Sequence, residues 1–137
     1  MRRRYRYGAP VFGFHPVNLA FRFLLEVAAL LALGFGTYAI VSDALPTPLA
    51  WVLALAVPLV AATAWATFNV PGDKSRSGEA PVPVPGIVRL LVEFNVFVVA
   101  VVLVWFASPT AAVVLALAVL VHYALSIDRI RWLVAAR

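Results

Sequence analysis

The chain has 137 residues, of which 64% are hydrophobic and only 12% charged, with a formal net charge of +5. A soluble domain of this size needs far more polar surface, so the membrane is the expected solvent. There is no cysteine, which excludes disulfides, thiolate metal sites, thioether-linked haem and cysteine nucleophiles.

The first 17 residues, "MRRRYRYGAPVFGFHPV", interleave Arg2, Arg3, Arg4 and Arg6 with Tyr5, Tyr7, Phe12 and Phe14. Gly8, Pro10, Gly13 and Pro16 argue against a long helix there. Basic and aromatic residues beside an apolar stretch suit the headgroup layer, so these arginines are expected to meet anionic lipid. Such mixtures also bind single-stranded nucleic acid. The short segment abuts a span, and no nucleic-acid partner is expected.

Four apolar stretches follow, each near the length that crosses a hydrocarbon core. They cover about residues 18–41, 48–68, 86–107 and 109–127. Between the second and third lies a polar, Pro-rich connection, "NVPGDKSRSGEAPVPVPG", whose alternating prolines from Ala80 to Pro85 predict an extended run. After the fourth comes a short basic tail, residues 128–137, partly amphipathic and suited to the interface. Lys and Arg lie before span 1, in the middle connection and after span 4, and are absent from the other two connections. That asymmetry predicts a multi-pass protein of the cell membrane, with both termini and the middle loop cytoplasmic.

The second half echoes the first. Spans 1 and 3 carry "RFLLE" at Arg22–Glu26 and "RLLVE" at Arg89–Glu93. Spans 2 and 4 open with Thr47-Pro48 and Ser108-Pro109, each a hydroxyl N-cap followed by proline. Both then read "LALAV". The predicted fold is an all-α membrane protein, a four-helix transmembrane bundle built from two repeated hairpins related by an axis along the membrane normal.

Such an axis brings Arg22, Glu26, Arg89 and Glu93 to one depth. Each Arg falls near the cytoplasmic boundary, and each Glu about 6 Å further in at 1.5 Å per residue. Charge in lipid is expensive, so these groups should face the bundle interior. Helical periodicity places Asn18, Arg22, Glu26, Ala29, Leu33 and Gly36 on one stripe of span 1. Similar stripes are Ala56, Thr63 and Thr67 on span 2, and Ala111, Ala118, His122, Ser126 and Arg129 on span 4. His122 comes out close to the depth of the two acids, where it is expected to be a satisfied interior histidine that hydrogen-bonds a Glu, and Thr63 and Ser126 are further candidates for the same polar network. Arg placed before Glu is the poorer order for a pair within one helix, which favours pairing between helices. Pro58 should kink span 2. Trp51, Trp65, Trp105 and Trp132 read as interface anchors.

The stretches "NLAFRFLLEVAALLALGFG", "WATFNVP" and "VRLLVEFNVFVVA" together resemble the YrdB-like small membrane proteins, a domain of unknown function. The resemblance spans roughly residues 18 to 127 and implies a four-span fold. Glu26, Glu93 and Arg89 fall where that family tends to place such residues; the basic N-terminal segment and the longer middle loop look like additions. The resemblance implies no activity.

No phosphate loop, catalytic triad, metal motif or nucleotide fingerprint is present, so neither enzyme, cofactor nor metal is expected. The favoured expectation is an accessory or scaffold subunit that packs on itself or on a larger membrane complex, braced by its Arg/Glu pairs. The alternative is a small proton- or ion-coupled transporter using Glu26 and Glu93, with His122 as a proton relay.

Overall fold

The computed structural model describes residues 12–136. The expected lipid contacts of Arg2, Arg3, Arg4 and Arg6 fall outside the described residues. A 3-10 turn, Phe12–Phe14, leads into α1 (Pro16–Val41), α2 (Thr47–Thr67), α3 (Gly86–Ala107), α4 (Pro109–Leu125) and α5 (Ile127–Ala135). The strands β1 (Phe68–Asn69) and β2 (Val82–Pro83) form a two-residue parallel pairing between α2 and α3. Among the described residues, α1, α2 and α3 are each long and apolar enough to cross a membrane. Helices α4 and α5 together make a fourth such segment, bent by 69° at the break. The protein is an all-α multi-pass membrane protein.

Apolar periodicity in lipid is weak, so small residues decide which faces meet. Helix α1 lies at the centre and packs against α2, α3 and α4. Its buried line is Asn18, Arg22, Leu25, Ala29, Ala32, Leu33, Gly36 and Thr37, which contains most of the stripe expected from the sequence. A methyl group added at Gly36 would overlap the Leu103 carbonyl of α3, so only glycine permits this closeness. The core under the polar end is completed by Trp65, Phe97, Ala100, Val104, Ala112, Leu115 and Val119.

Helix α2 is held mainly by α1. It runs unbroken through Pro58. Proline lacks the N–H that would bond the Ala54 carbonyl. That carbonyl abuts α1, where an added Cβ at Gly34 would stand 3.0 Å from its oxygen.

Several expectations are corrected. The buried side of α2 is Ala50, Ala54 and Trp65, with Val57 and Ala61 partly buried, not Ala56, Thr63 and Thr67. Trp65 is therefore a core residue, edge-on to Phe97, rather than an interface anchor. The buried line of α4 is Ala112, Leu115, Val119 and His122, displaced by one residue from Ala111 and Ala118. Thr47 is the first helical residue of α2, and the cap position is Pro46, without a side-chain cap bond. Ser108 does cap α4, its hydroxyl accepting from the Ala111 N–H at 3.2 Å.

Helix α4 ends earlier than the expected span. The Ser126 N–H bonds back to the His122 and Tyr123 carbonyls, and α5 leaves at an angle. Helix α5 buries Arg129 and Leu133, one turn apart. Its C-terminal end meets the start of α3: the Gly86 N–H donates to the Ala136 carbonyl at 2.9 Å, and Gly86 leaves no room for a side chain against Leu133. An N-terminal donor and a C-terminal acceptor thus satisfy each other.

Candidate functional site, a buried arginine–carboxylate network

At one end of the bundle, α1, α3, α5 and the middle loop converge on Glu93, which is completely buried. Arg22 Nη2 donates to its Oε2 at 2.9 Å. Arg129 approaches end-on with a bidentate fork, Nη1 to Oε1 and Nη2 to Oε2, both 3.2 Å. Arg89, one turn back on α3, stands 4.0 Å away. A planar fork matched to a carboxylate gives a buried ion pair its best geometry. Without such satisfaction the desolvation of both ions exceeds their attraction.

The arginines reach outward to further partners. Arg22 donates Nε to Glu26 at 3.1 Å and Nη1 to Ser75 Oγ at 2.6 Å. Arg76 from the loop closes on Glu26 at 2.8 Å and lies over the Trp65 ring at 5.9 Å. Arg129 also donates to Ser75 Oγ at 2.9 Å and to Asp73 at 3.3 Å. Ser75 Oγ in turn donates to Asp73 Oδ1 at 2.7 Å, so one hydroxyl links two guanidiniums and a carboxylate. Four guanidiniums (Arg22, Arg76, Arg89, Arg129) meet three carboxylates (Glu26, Asp73, Glu93), an excess of one positive charge.

Asp73 is positioned by the loop itself. Its Oδ1 accepts the Ser75 N–H at 2.9 Å, the Asx geometry that Asp favours in turns. Gly72 and Gly78 have φ of 78° and 81°, in the left-handed region, and the Gly72 N–H bonds the Gly78 carbonyl. Burial opposes ionisation of Asp73, but Arg129 and the two Ser75 hydrogen bonds outweigh it and hold the carboxyl below its ordinary range.

Arg89 does different work from Arg22. Its Nη1 donates to the Trp65 and Phe68 carbonyls at 2.7 and 2.9 Å. It therefore caps the C-terminal end of α2, where unpaired carbonyls concentrate negative potential. Below it, the Phe68–Asn69 pairing with Val82–Pro83 and the Val84 N–H to Asn69 carbonyl bond tie the extended proline run to the end of α2.

Of the residues singled out in the sequence, Arg22, Glu26, Arg89 and Glu93 come together. Glu26 sits at the edge, its side chain 20% exposed, while Glu93 is enclosed. His122 reaches the buried interior but lies edge-on to Phe21, and neither ring nitrogen has a hydrogen-bond partner among the described residues. The expected His–Glu bond is not formed. Thr63 is exposed and bonds the Leu59 carbonyl of its own helix, so it is not in the network. Ser126 joins a neighbouring polar contact, accepting from Asn18 Nδ2 at 2.9 Å; the same amide donates to the Gly13 carbonyl. The network also takes in Asp73, Ser75, Arg76 and Arg129, which the sequence expectation does not include. Arg129 already lay on the same helical stripe as His122 and Ser126, and the Asp-x-Ser turn signal was present in the loop.

A cavity of about 440 Å³ opens beside the network, between the polar ends of α1 and α2 and the loop. Glu26, Asn69, Arg76 and Glu79 supply polar groups to it, and Leu19 and Phe23 form an apolar lip. Among the described residues no group of three His, Cys, Asp or Glu side chains is arranged to hold a metal.

No solved structure matches this chain. The "Uncharacterized protein YrdB" of Bacillus subtilis (strain 168) is 41% identical over 118 residues, covering 85% of this chain and 92% of that protein. The family described as "Protein of unknown function (DUF2568)" matches residues 20–121, a stretch that holds α2, α3 and the network residues other than Arg129. By that match and that identity, this chain belongs to the YrdB-like family of unknown function.

Proposed function

We propose that this chain is a non-enzymatic accessory or scaffold subunit of the cell membrane, one that packs against itself or another membrane protein. The observation that carries this reading is the lock on Glu93. Both its oxygens are taken by Arg22 and Arg129 in a fully buried setting, which commits the deepest acid to holding α1, α3, α5 and the loop together. A rigid polar plate at one end leaves the lateral apolar faces to meet neighbours, α2 above all, since only Ala50, Ala54 and Trp65 of that helix are buried.

In this reading the termini and middle loop are cytoplasmic, the N-terminal arginines hold anionic headgroups, and α1–α2 and α3–α4 are two copies of one hairpin. Gentle-detergent purification from the native host tests it. A second copy or a membrane subunit should co-purify in fixed stoichiometry. A lone monomer that drives solute flux in proteoliposomes would overturn it.

The second reading, a small proton- or ion-coupled transporter, draws on Glu26, which is partly exposed and lines the open cavity. It requires Glu93 to exchange protons. Its signature is a Glu93→Gln variant of parental stability that has lost pH-gradient-driven flux.

A further inference from the structure

We propose that the cavity between the polar ends of α1 and α2 binds the headgroup of an ethanolamine phospholipid, with an acyl chain laid along the α1–α2 seam. The inference starts from which polar atoms in the cavity are already used. Arg22, although it lines the space, spends its guanidinium on Glu26, Ser75 and Glu93. What remains is chiefly acceptor capacity. Glu26 engages Arg22 and Arg76 through Oε1 alone. The Glu79 carboxylate has no hydrogen bond among the described residues, and the residue is exposed. Asn69 is 5% exposed, and its amide is oriented by the bond from Nδ2 to the Ala66 carbonyl at 2.7 Å. Its Oδ1 is thereby left buried with no partner. A buried acceptor without a donor is costly, and a cavity lined by that residue is where a donor can arrive.

Three acceptors suit a primary ammonium, which carries three donors. They do not suit a quaternary one, which has none and is held by aromatic faces. The one aromatic side chain that lines the cavity is Phe23, a single ring at the lip and not a cage, and the nearby Trp65 is covered by Arg76. The donor for a phosphate is Arg76 itself. One of its amino groups binds Glu26, and its Nε is buried without a partner. A guanidinium beside carboxylates thus matches a phosphate and an ammonium two carbons apart.

A lipid rather than a soluble phosphoamine follows from the surroundings. Leu19 and Phe23 rim the cavity, and Phe23 is 63% exposed on the apolar side of α1. Along the same seam a second, wholly apolar groove of about 150 Å³ is lined by Leu30, Gly34, Phe35, Leu55 and Pro58. From Glu26 to Leu30 is one helical turn, about 6 Å. The polar cavity and the apolar groove therefore succeed one another as a headgroup and chain do.

The full-length protein, stripped of lipid in detergent, would be titrated with phosphatidylethanolamine, phosphatidylcholine and phosphatidylglycerol of identical chains. Bound lipid is counted by native mass spectrometry. The ethanolamine lipid should bind roughly tenfold more tightly than the choline lipid, as expected for one charge-assisted hydrogen bond. Glu79→Gln, outside the network, should remove most of that preference without changing the melting temperature in lipid-free detergent. Ala66→Leu, which fills the cavity from α2, should weaken ethanolamine lipid binding. Equal binding of the ethanolamine and choline lipids, or an unchanged preference in Glu79→Gln, would overturn the headgroup assignment. Competition by soluble phosphoethanolamine at equal molar concentration would overturn the lipid as its source.

Discussion

Replacing Glu93 by Gln removes one charge and one hydrogen-bond acceptor while keeping the shape of the side chain. In the native site, Glu93 accepts from Arg22 at 2.9 Å and from both Nη atoms of Arg129 at 3.2 Å. Gln can accept on one oxygen only and turns its amide donors toward guanidinium donors. The positive excess of the network rises from one to two. Stripping the partner from a buried ion pair costs about 3–5 kcal/mol. Part of this should return when one arginine is removed as well, and the choice of arginine is informative. Arg22→Gln leaves Glu26 paired with Arg76 and Ser75 bonded to Arg129. Arg129→Gln instead strips Asp73 of its cation. The double variant Glu93→Gln/Arg22→Gln should therefore recover more stability than Glu93→Gln/Arg129→Gln. Unfolding free energies in mixed detergent micelles, followed by tryptophan fluorescence, measure both. The reasoning fails if Glu93→Gln unfolds within about 0.5 kcal/mol of wild type, the range of an unremarkable surface change. It fails equally if the two double variants rank in the opposite order.

Asp73 supplies a pH dependence. Its folded pKa lies below the ordinary 3.8, so the unfolded chain binds the proton first and the contribution is fully present above about pH 4. The stability gap between wild type and Asp73→Asn should narrow as pH falls below that value; a gap constant down to pH 2 would contradict the assignment. Gly36→Ala should destabilise the bundle far more than Gly34→Ala, because the first methyl overlaps the α3 backbone and the second meets a single carbonyl at 3.0 Å. Thermal melts of the two variants in one detergent decide it, and equal losses would refute it. Cysteines introduced at Ser42 and Ser77 should label from opposite sides of the membrane, Ser77 from the cytoplasm. Labelling of both from one side would exclude the four-span topology.

Spans are legible because hydropathy is summed over many residues, and a few misplaced positions do not alter the sum. Faces are less so. In α4 and α2 nearly every residue is apolar, so nothing in the pattern separates Ala111 from Ala112, or marks Trp65 as core while Trp51 and Trp105 stay exposed. The charged residues of α1 and α3 are different, since an ion in lipid has few places to go. Arg22 and Glu93 are accordingly placed inward and pair across helices, but Arg22 also bonds Glu26 within α1, a pairing that the unfavourable Arg-before-Glu order argues against. Asp73, Ser75 and Arg76 escaped because a Pro- and Gly-rich polar segment reads as solvated loop. Its return onto the bundle depends on two left-handed glycines and on Arg89 receiving the end of α2, neither of which hydropathy records. His122 shows the converse limit: its depth along the span puts it in the interior, but depth alone supplies no partner.

The order of the network residues along the chain has a bearing on biosynthesis. Synthesis delivers Arg22 and Glu26 first, then the Asp73–Arg76 loop, then Arg89 and Glu93, and Arg129 last of all. When span 3 enters the bilayer, Glu93 must be sheltered before its bidentate partner has left the ribosome. Arg22 on the preceding hairpin and Arg89 one turn away on the same helix are the two cations already present to shelter it. A nascent chain arrested before Arg129 should thus insert span 3 but leave the loop held only through Ser75 and Arg76 to α1, with Asp73 short of its cation. The first turn of α5, which carries Arg129, then acts as a closing bolt, and protease sensitivity of the middle loop would report the moment it slides home.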